Sequence, residues 1–216
     1  MATRKGRTFT FEKEIRVISS AGVAGRLEGE GPLGKCFDRV FEDSTMGEGC
    51  WEKAESDLLT SAIHTAMKKA ELDENRIDAV FAGDLLNQCI SSSFSLRSMD
   101  VPFCGMFGAC STMALSSLTA CLAVESGAMN ICLAATSSHF CSAEKQFRFP
   151  LEYGGQRTPT AQRTVTGAGA LILCESGSQK FPRIKAAHLG TVEDLGITDS
   201  TNMGAAMAPV DVKIEP

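Results

Sequence analysis

Apolar side chains recur at helical spacing from Trp51 to Ala70, where Trp51, Ala54, Leu58, Ala62, Ile63, Ala66, Met67 and Ala70 line one stripe. Glu52, Lys53, Glu55, Asp57, Lys68 and Lys69 are assigned to the opposite, wet face. The spacing predicts an amphipathic helix. A second helix, Met113 to Glu125, is almost uncharged and apolar all round, with Gly127 placed to cap it. Such a pattern predicts burial on every side. Short apolar runs bounded by turn residues predict strands over Glu14 to Ser19, Ala79 to Ala82, Pro102 to Phe107, Ile131 to Ala135 and Ala168 to Cys174. The glycine-rich stretch from Ala21 to Gly34 reads as a long loop, and so does Ala143 to Thr164. His64 falls on the surface of the first helix, and His188 lies where no pattern places it. Alternating buried strands and helices predict an α/β fold whose sheet is covered on both faces.

Composition narrows the function classes. A 216-residue chain with 44% apolar and 22% charged residues is ordinary globular material, which excludes intrinsic disorder. The net charge of −5 argues against nucleic acid as the main partner. Arg4, Lys5 and Arg7 form a dense basic patch, read as a frayed, solvated end. No apolar run approaches the ~18 residues that span a bilayer, and the N-terminus lacks the apolar core of a secretory signal. Nine cysteines are an odd number without a C-x-x-C pair, and Cys121, Cys132 and Cys174 sit inside apolar segments. That pattern fits free thiols in a reducing compartment and offers no zinc site.

Candidate chemistry gathers just past strand ends, where α/β proteins place ligands. Gly108-Ala109-Cys110-Ser111-Thr112 joins a buried strand to a buried helix and sets Cys110 at the helix N-terminus. Unpaired N–H groups and the helix dipole there favour a thiolate or a bound anion. Gly83-Asp84-Leu85-Leu86-Asn87-Gln88 and Ser137-Ser138-His139 follow two further strands. Asp84 has a competing reading as a helix N-cap, and His139 as a satisfied structural histidine. No P-loop is present.

Cys110 in its strand–GAC–helix setting resembles the nucleophile position of thiolases and β-ketoacyl-carrier-protein synthases. Longer strings are more specific: GEGPLGKCFDRVFED (29–43), CWEKAE (50–55), AGDLLNQCISS (82–92), FGACST (107–112), AATSSHF (134–140), AEKQFRFPLEYGGQRTPTAQRTVTGAGA (143–170) and GITDSTNMGAAMAP (196–209). They resemble the stage V sporulation protein AD family of spore-forming bacteria. The resemblance implies a thiolase-like fold, layered α-β-α-β-α, with residues 1–216 as its N-terminal half and the start of a second half. It implies a non-catalytic, dipicolinic acid-binding subunit of the SpoVA complex, moving calcium dipicolinate during sporulation and germination. It also implies membrane proteins of that complex as partners, a homodimer paired near Val101 to Met106, and a peripheral place at the spore inner membrane. No cofactor and no resident metal are expected.

Dipicolinate is a flat pyridine dianion, so its site needs apolar walls and a few placed donors. The expected contacts are Cys110, Ser111 and Thr112 at the helix N-terminus, with Asn87, Gln88, Ser137, His139 and Arg148 as further donors. Arg157 and Arg163 are other sources of positive charge. Asp84 is expected to orient serine or histidine neighbours, or to face a ligand-bound calcium ion. The rival readings are an acyltransferase with Cys110 as nucleophile, which lacks a convincing base here, and a structural adaptor.

Overall fold

The computed structural model describes residues 2–147, 163–191, 194–198 and 205. In chain order it forms β1 (Thr3–Lys5), β2 (Thr8–Thr10), β3 (Ile15–Gly25), α1 (Arg26–Gly29), β4 (Arg39–Phe41), α2 (Trp51–Ala70) and β5 (Ala79–Asp84). There follow α3 (Ile90–Leu96), β6 (Phe103–Gly105), α4 (Thr112–Ser126), β7 (Ile131–Ser138), α5 (Phe140–Phe147), β8 (Gly167–Glu175) and β9 (Ala186–His188). Six strands make one mixed sheet in the order β4-β3-β8-β7-β5-β6. β8 runs antiparallel to both β3 and β7, while β7, β5 and β6 are mutually parallel.

Period-two alternation sorts the sheet residues onto two cores. Val23, Val80, Leu133 and Ile172 pack with Leu58, Leu59, Ala62 and Ile63 of α2. Their neighbours Phe81, Ala134 and Leu173 pack with Ala120, Cys121 and Val124 of α4, and with Phe11. Both faces are therefore covered, as the pattern predicts.

Several boundaries differ from the sequence reading. Residues 21–25 are not loop but the second half of β3, pairing Ala21 with Ala170, Gly22 with Gly169 and Ala24 with Gly167. Glycine and alanine serve close packing there rather than a turn. β5 extends to Asp84 and β7 to Ser138, so residues placed beyond the strand ends lie inside them, with Asp84 and Ser137 as register partners. β6 is shorter than its predicted span, and part of the expected 143–164 loop is α5.

α4 ends at Gly127 with φ +78°, the left-handed cap expected. It is not buried all round in this chain. Thr112, Ser116, Ala120, Cys121 and Val124 form its buried stripe, while Ala114 is exposed and Leu115, Leu118 and Leu122 are half-buried. Residues 109–126 just reach the length and mean hydropathy of a bilayer span, as core helices also can. Here that helix lies against the sheet and supplies core residues.

The basic N-terminus is no frayed end. β1 and β2 pair antiparallel, and β2 pairs with β9, which places His188 beside Thr8 with Nδ1 2.9 Å from Oγ1. Buried Glu125 at the end of α4 anchors this small sheet by accepting the N–H groups of Glu12 at 3.3 Å and Lys13 at 3.1 Å. Glu125→Ala leaves those donors without their carboxylate. A loss of about 1–3 kcal/mol is expected by chemical denaturation, with amide exchange accelerating first in β1 and β2.

Candidate functional site

The sheet divides the expected site into two groups. On the α4 side, β5 leads through Gly83 to a tight approach of chain segments. An added Cβ on Gly83 would lie 1.8 Å from the Met106 carbonyl oxygen and 2.8 Å from Thr112 Cγ2. Only a residue without a side chain lets the β6–α4 connection sit this close. The connection then turns through Ala109, whose φ of +46° is in the left-handed region, into Cys110, Ser111 and α4. Such strain in a non-glycine residue costs of order 1–3 kcal/mol and clusters at functional sites. Ser111 Oγ donates to the Gly108 carbonyl at 2.7 Å, and Thr112 Oγ1 donates to the Ala109 carbonyl at 2.8 Å. Cys110 and Ser111 are exposed on the short 3-10 turn that leads into α4, where Ser111 N–H donates to the Gly108 carbonyl at 2.9 Å and Thr112 N–H to the Ala109 carbonyl, so these two N–H groups are not the open donors the sequence suggested.

Asn87 and Gln88 are exposed as well, on a second strained turn where Gln88 and Cys89 have φ of +66° and +52°. The Cys89 thiol donates to the Met106 carbonyl at 3.3 Å, which brings this turn onto the segment leading to Cys110. Cys110, Ser111, Asn87 and Gln88 are thus the open part of the expected set.

On the α2 side, Asp84, Ser137 and His139 are buried and committed. Asp84 accepts from Leu86 N–H at 3.1 Å, Ser92 N–H at 2.8 Å and Ser92 Oγ–H at 2.6 Å. It therefore holds the strained 87–89 turn and the start of α3, and does orient a serine, but its oxygens face donors rather than a cation. Burial raises its carboxyl above the usual range, against the pull of those donors. Among the described residues no cluster of His, Cys, Asp or Glu is arranged to hold a metal ion. Thr112 is buried too, its N–H and hydroxyl both directed to the Ala109 carbonyl and its hydroxyl accepting from Gly108 N–H at 3.1 Å, so it closes the turn rather than facing a ligand.

His139 has both ring nitrogens engaged. Nε2 lies 2.8 Å from the Ser44 carbonyl, and Cys141 N–H donates to Nδ1 at 3.1 Å, which assigns the neutral Nε2–H tautomer. The ring packs on Trp51 with centroids 5.4 Å apart, and burial lowers its pKa. Its structural reading prevails over the donor reading. Arg148 and Arg157 lie outside the described residues, and Arg163 sits over the Phe140 ring at 5.8 Å. Cys121 and Cys132 are buried thiols pushed up to about 12, inert packing as expected.

One polar group escaped the sequence reading. Glu55, assigned to the wet face of α2, is fully buried. It accepts from Ser137 Oγ at 3.2 Å and Ser142 Oγ at 2.6 Å. Burial raises its carboxyl to about 7, Asp84 adds to the rise, and the serine hydroxyls oppose it. The signal was present in the spacing, because Glu55 stands three, four and seven residues before Leu58, Leu59 and Ala62.

A six-stranded mixed sheet between α2 and α4, with a cysteine at a strained strand-to-helix turn, is the architecture of a thiolase-like fold. Solved structures agree. OleA from Xanthomonas campestris superposes with a TM-score of 0.55 over 82% of this chain and 62% of its own, at 14% identity. The 3-oxoacyl-(acyl carrier protein) synthase III, FabH, of Xanthomonas oryzae pv. oryzae gives 0.55 over 82% and 60%, also at 14% identity. The priming β-ketosynthase of the R1128 polyketide pathway gives 0.52 over 82% and 53% at 16% identity.

The chain belongs to the stage V sporulation protein AD (SpoVAD) family, whose profile matches residues 5–214. It is 43% identical over 203 residues to stage V sporulation protein AD of Bacillus subtilis strain 168. That match covers 94% of this chain and 60% of the relative's length. The chain is accordingly a member of a sporulation-protein family, with a thiolase-like fold.

The close approach at Gly83 is open to test. Gly83→Ala forces the new methyl group against the Met106 carbonyl, and a loss on the order of 3 kcal/mol is expected. A thermal melt within about 1 °C of the parent would contradict this packing.

Proposed function

We propose that this chain is the dipicolinic acid-binding part of a SpoVAD subunit, and that the ligand sits at the exposed start of α4. The observation that carries the reading is the pairing of two strained turns, at Ala109 and at Gln88–Cys89. Together they present Cys110, Ser111, Asn87 and Gln88 to solvent. One ligand carboxylate meets the backbone N–H of Cys110, since those of Ser111 and Thr112 already donate within the turn, at the end of α4 where the dipole favours an anion. The amides of Asn87 and Gln88 supply neutral donors. Arg148 remains a candidate partner for the second carboxylate, on sequence grounds. Calcium enters this reading only as part of the cargo.

Binding is favoured over acyl transfer because none of His64, His139 and His188 stands in a catalytic motif, and His139, which follows β7, has both ring nitrogens engaged. The reading extends to a homodimer through β6, the edge strand of the large sheet. It also places the subunit against the membrane proteins of the SpoVA complex.

Calorimetric titration of the chain with dipicolinic acid tests this directly. Saturable binding is expected, retained within about threefold in Cys110→Ala because the donors are backbone groups, and weakened at least ~10-fold in Cys110→Phe, which blocks the helix start. Equal affinity in Cys110→Phe would move the ligand elsewhere. Acylation of Cys110 by an acyl-CoA would replace the binding reading with acyl transfer.

A further inference from the structure

Two stretches far apart in sequence, residues 2–11 and 176–191, hold six of the chain's 21 basic side chains and none of its 26 acidic ones. The other residues carry 15 basic against 26 acidic side chains, a net −11 in a chain whose total is −5. Charge segregated in this way marks a surface that faces anions. The fold joins the two stretches, because β1 and β2 come from the first and β9 from the second. Lys5, Thr8 and His188 form one register row across the three strands, and cross-strand partners share a face. The alternate row runs Arg4, Phe9, Ala187, in which Phe9 and Ala187 are half-buried and Ala187 packs on the α4 core.

Arg4, Lys5, Arg7 and Lys185 are all exposed. Among the described residues none of the four forms an ion pair with a carboxylate. Arg4 stands 5.8 Å over the Phe9 ring, and its Nε donates to the Gly6 carbonyl at 2.8 Å. Arg7 Nη1 donates to Thr191 Oγ1 at 3.2 Å, which positions the guanidinium without neutralising it. Glu14 is engaged by Arg16 and Arg183, and Glu175 by Lys13. The acidic side chains of α2 belong to the other face of the large sheet, two packed layers or about 20 Å away. That exceeds the ~10 Å over which exposed charges act at 0.1 M salt. The surface is therefore locally positive although the chain is not. Leu189, 43% exposed, sits at the same edge, its N–H donating to the Arg7 carbonyl at 3.1 Å.

We propose that the β1–β2–β9 sheet is a docking face for an anionic lipid surface, with Arg4, Lys5, Arg7 and Lys185 meeting headgroup phosphates and Leu189 entering between them. Cations beside an exposed aliphatic side chain suit a headgroup layer, which is charged and borders hydrocarbon. Nucleic acid fits this face less well. Single strands need open aromatic faces, whereas Phe9 is half-buried and lies under Arg4. A duplex needs a track of phosphate contacts, and three strands of three residues span only about 10 Å by 10 Å. The inference does not rest on the ligand reading, and it gives the proposed place beside membrane proteins a lipid contact of its own.

Flotation of the whole chain with lipid vesicles tests it, using phosphatidylcholine alone and phosphatidylcholine with about a third phosphatidylglycerol. At about 50 mM salt the chain is expected to float with the anionic vesicles and not with the neutral ones, and to be released as salt approaches ~0.5 M. Each cation near such a surface is worth about fivefold in partitioning, so Lys5→Gln/Arg7→Gln should bind about 20-fold more weakly. Lys53→Gln/Lys68→Gln, which removes the same charge from α2, should stay within about twofold of the parent. No flotation with anionic vesicles at low salt overturns the proposal, and so does an equal loss in the two double variants. Tighter binding to a short DNA duplex than to anionic vesicles at equal phosphate overturns it in favour of nucleic acid. If Lys5→Gln/Arg7→Gln does not fold, Lys185→Gln decides: partitioning equal to the parent's overturns the proposal. No dipicolinate is present, so failure here leaves the ligand reading standing.

Discussion

β8 lies between β3 and β7 and is antiparallel to both, although about 140 residues of chain separate it from β3. Its backbone groups are consumed on both edges, and its side chains alternate between the α2 core and the α4 core, Ile172 to one and Leu173 to the other. Without this strand, β3 and β4 have no sheet to join, and both cores lose their middle. Small residues make the strand possible. Gly167, Ala168, Gly169 and Ala170 face Ala24, Val23, Gly22 and Ala21 across the ladder, leaving little side-chain bulk between sheet and helices. Long-range pairing of this kind is entropically expensive to close, and it is offset only when burial on both faces follows.

The sheet so formed is also a partition. Residues that neighbour one another in sequence at the end of β5 go to opposite sides, Gly83 toward Thr112 and Asp84 toward the buried serines. The α4 side is open at Cys110 and Ser111. The α2 side is closed and filled with hydroxyls, two carboxyls and a neutral histidine. Asp84 links them, because its carboxylate fixes the turn carrying Asn87 and Gln88 while remaining buried itself. The exposed turn at Cys110 and the buried carboxyls of Asp84 and Glu55 are thus separated by one layer of backbone.

Much of this was legible before any coordinates. Trp51 to Ala70 shows its period plainly, and Gly127 marks the end of α4. The runs around Ala79, Ile131 and Ala168 locate three of the central strands. What stayed hidden was hidden for physical reasons. Glycine in residues 21–25 signals a loop locally, and only the partner strand 140 residues away turns it into close strand packing. Asp84, Ser137 and His139 look like site residues because polar groups at strand ends usually are. Whether such a group faces ligand or caps a helix depends on which side of the sheet it leaves, and periodicity resolves that only once the true strand end is known. Glu55 was misplaced because charge outweighed position: its spacing put it on the apolar stripe, and its carboxyl argued for water.

The central claim is that a helix start at Cys110, pressed into place by Gly83 and Met106, is where a flat aromatic dianion binds. Backbone amide chemical shifts of the isotope-labelled chain, followed as dipicolinic acid is added, test it most directly. The largest, saturating shifts are expected at Cys110, Ser111 and Thr112, with Asn87 and Gln88 following on the same binding curve. Saturating shifts confined to other residues, or none in a chain whose spectrum is that of a folded protein, would contradict it.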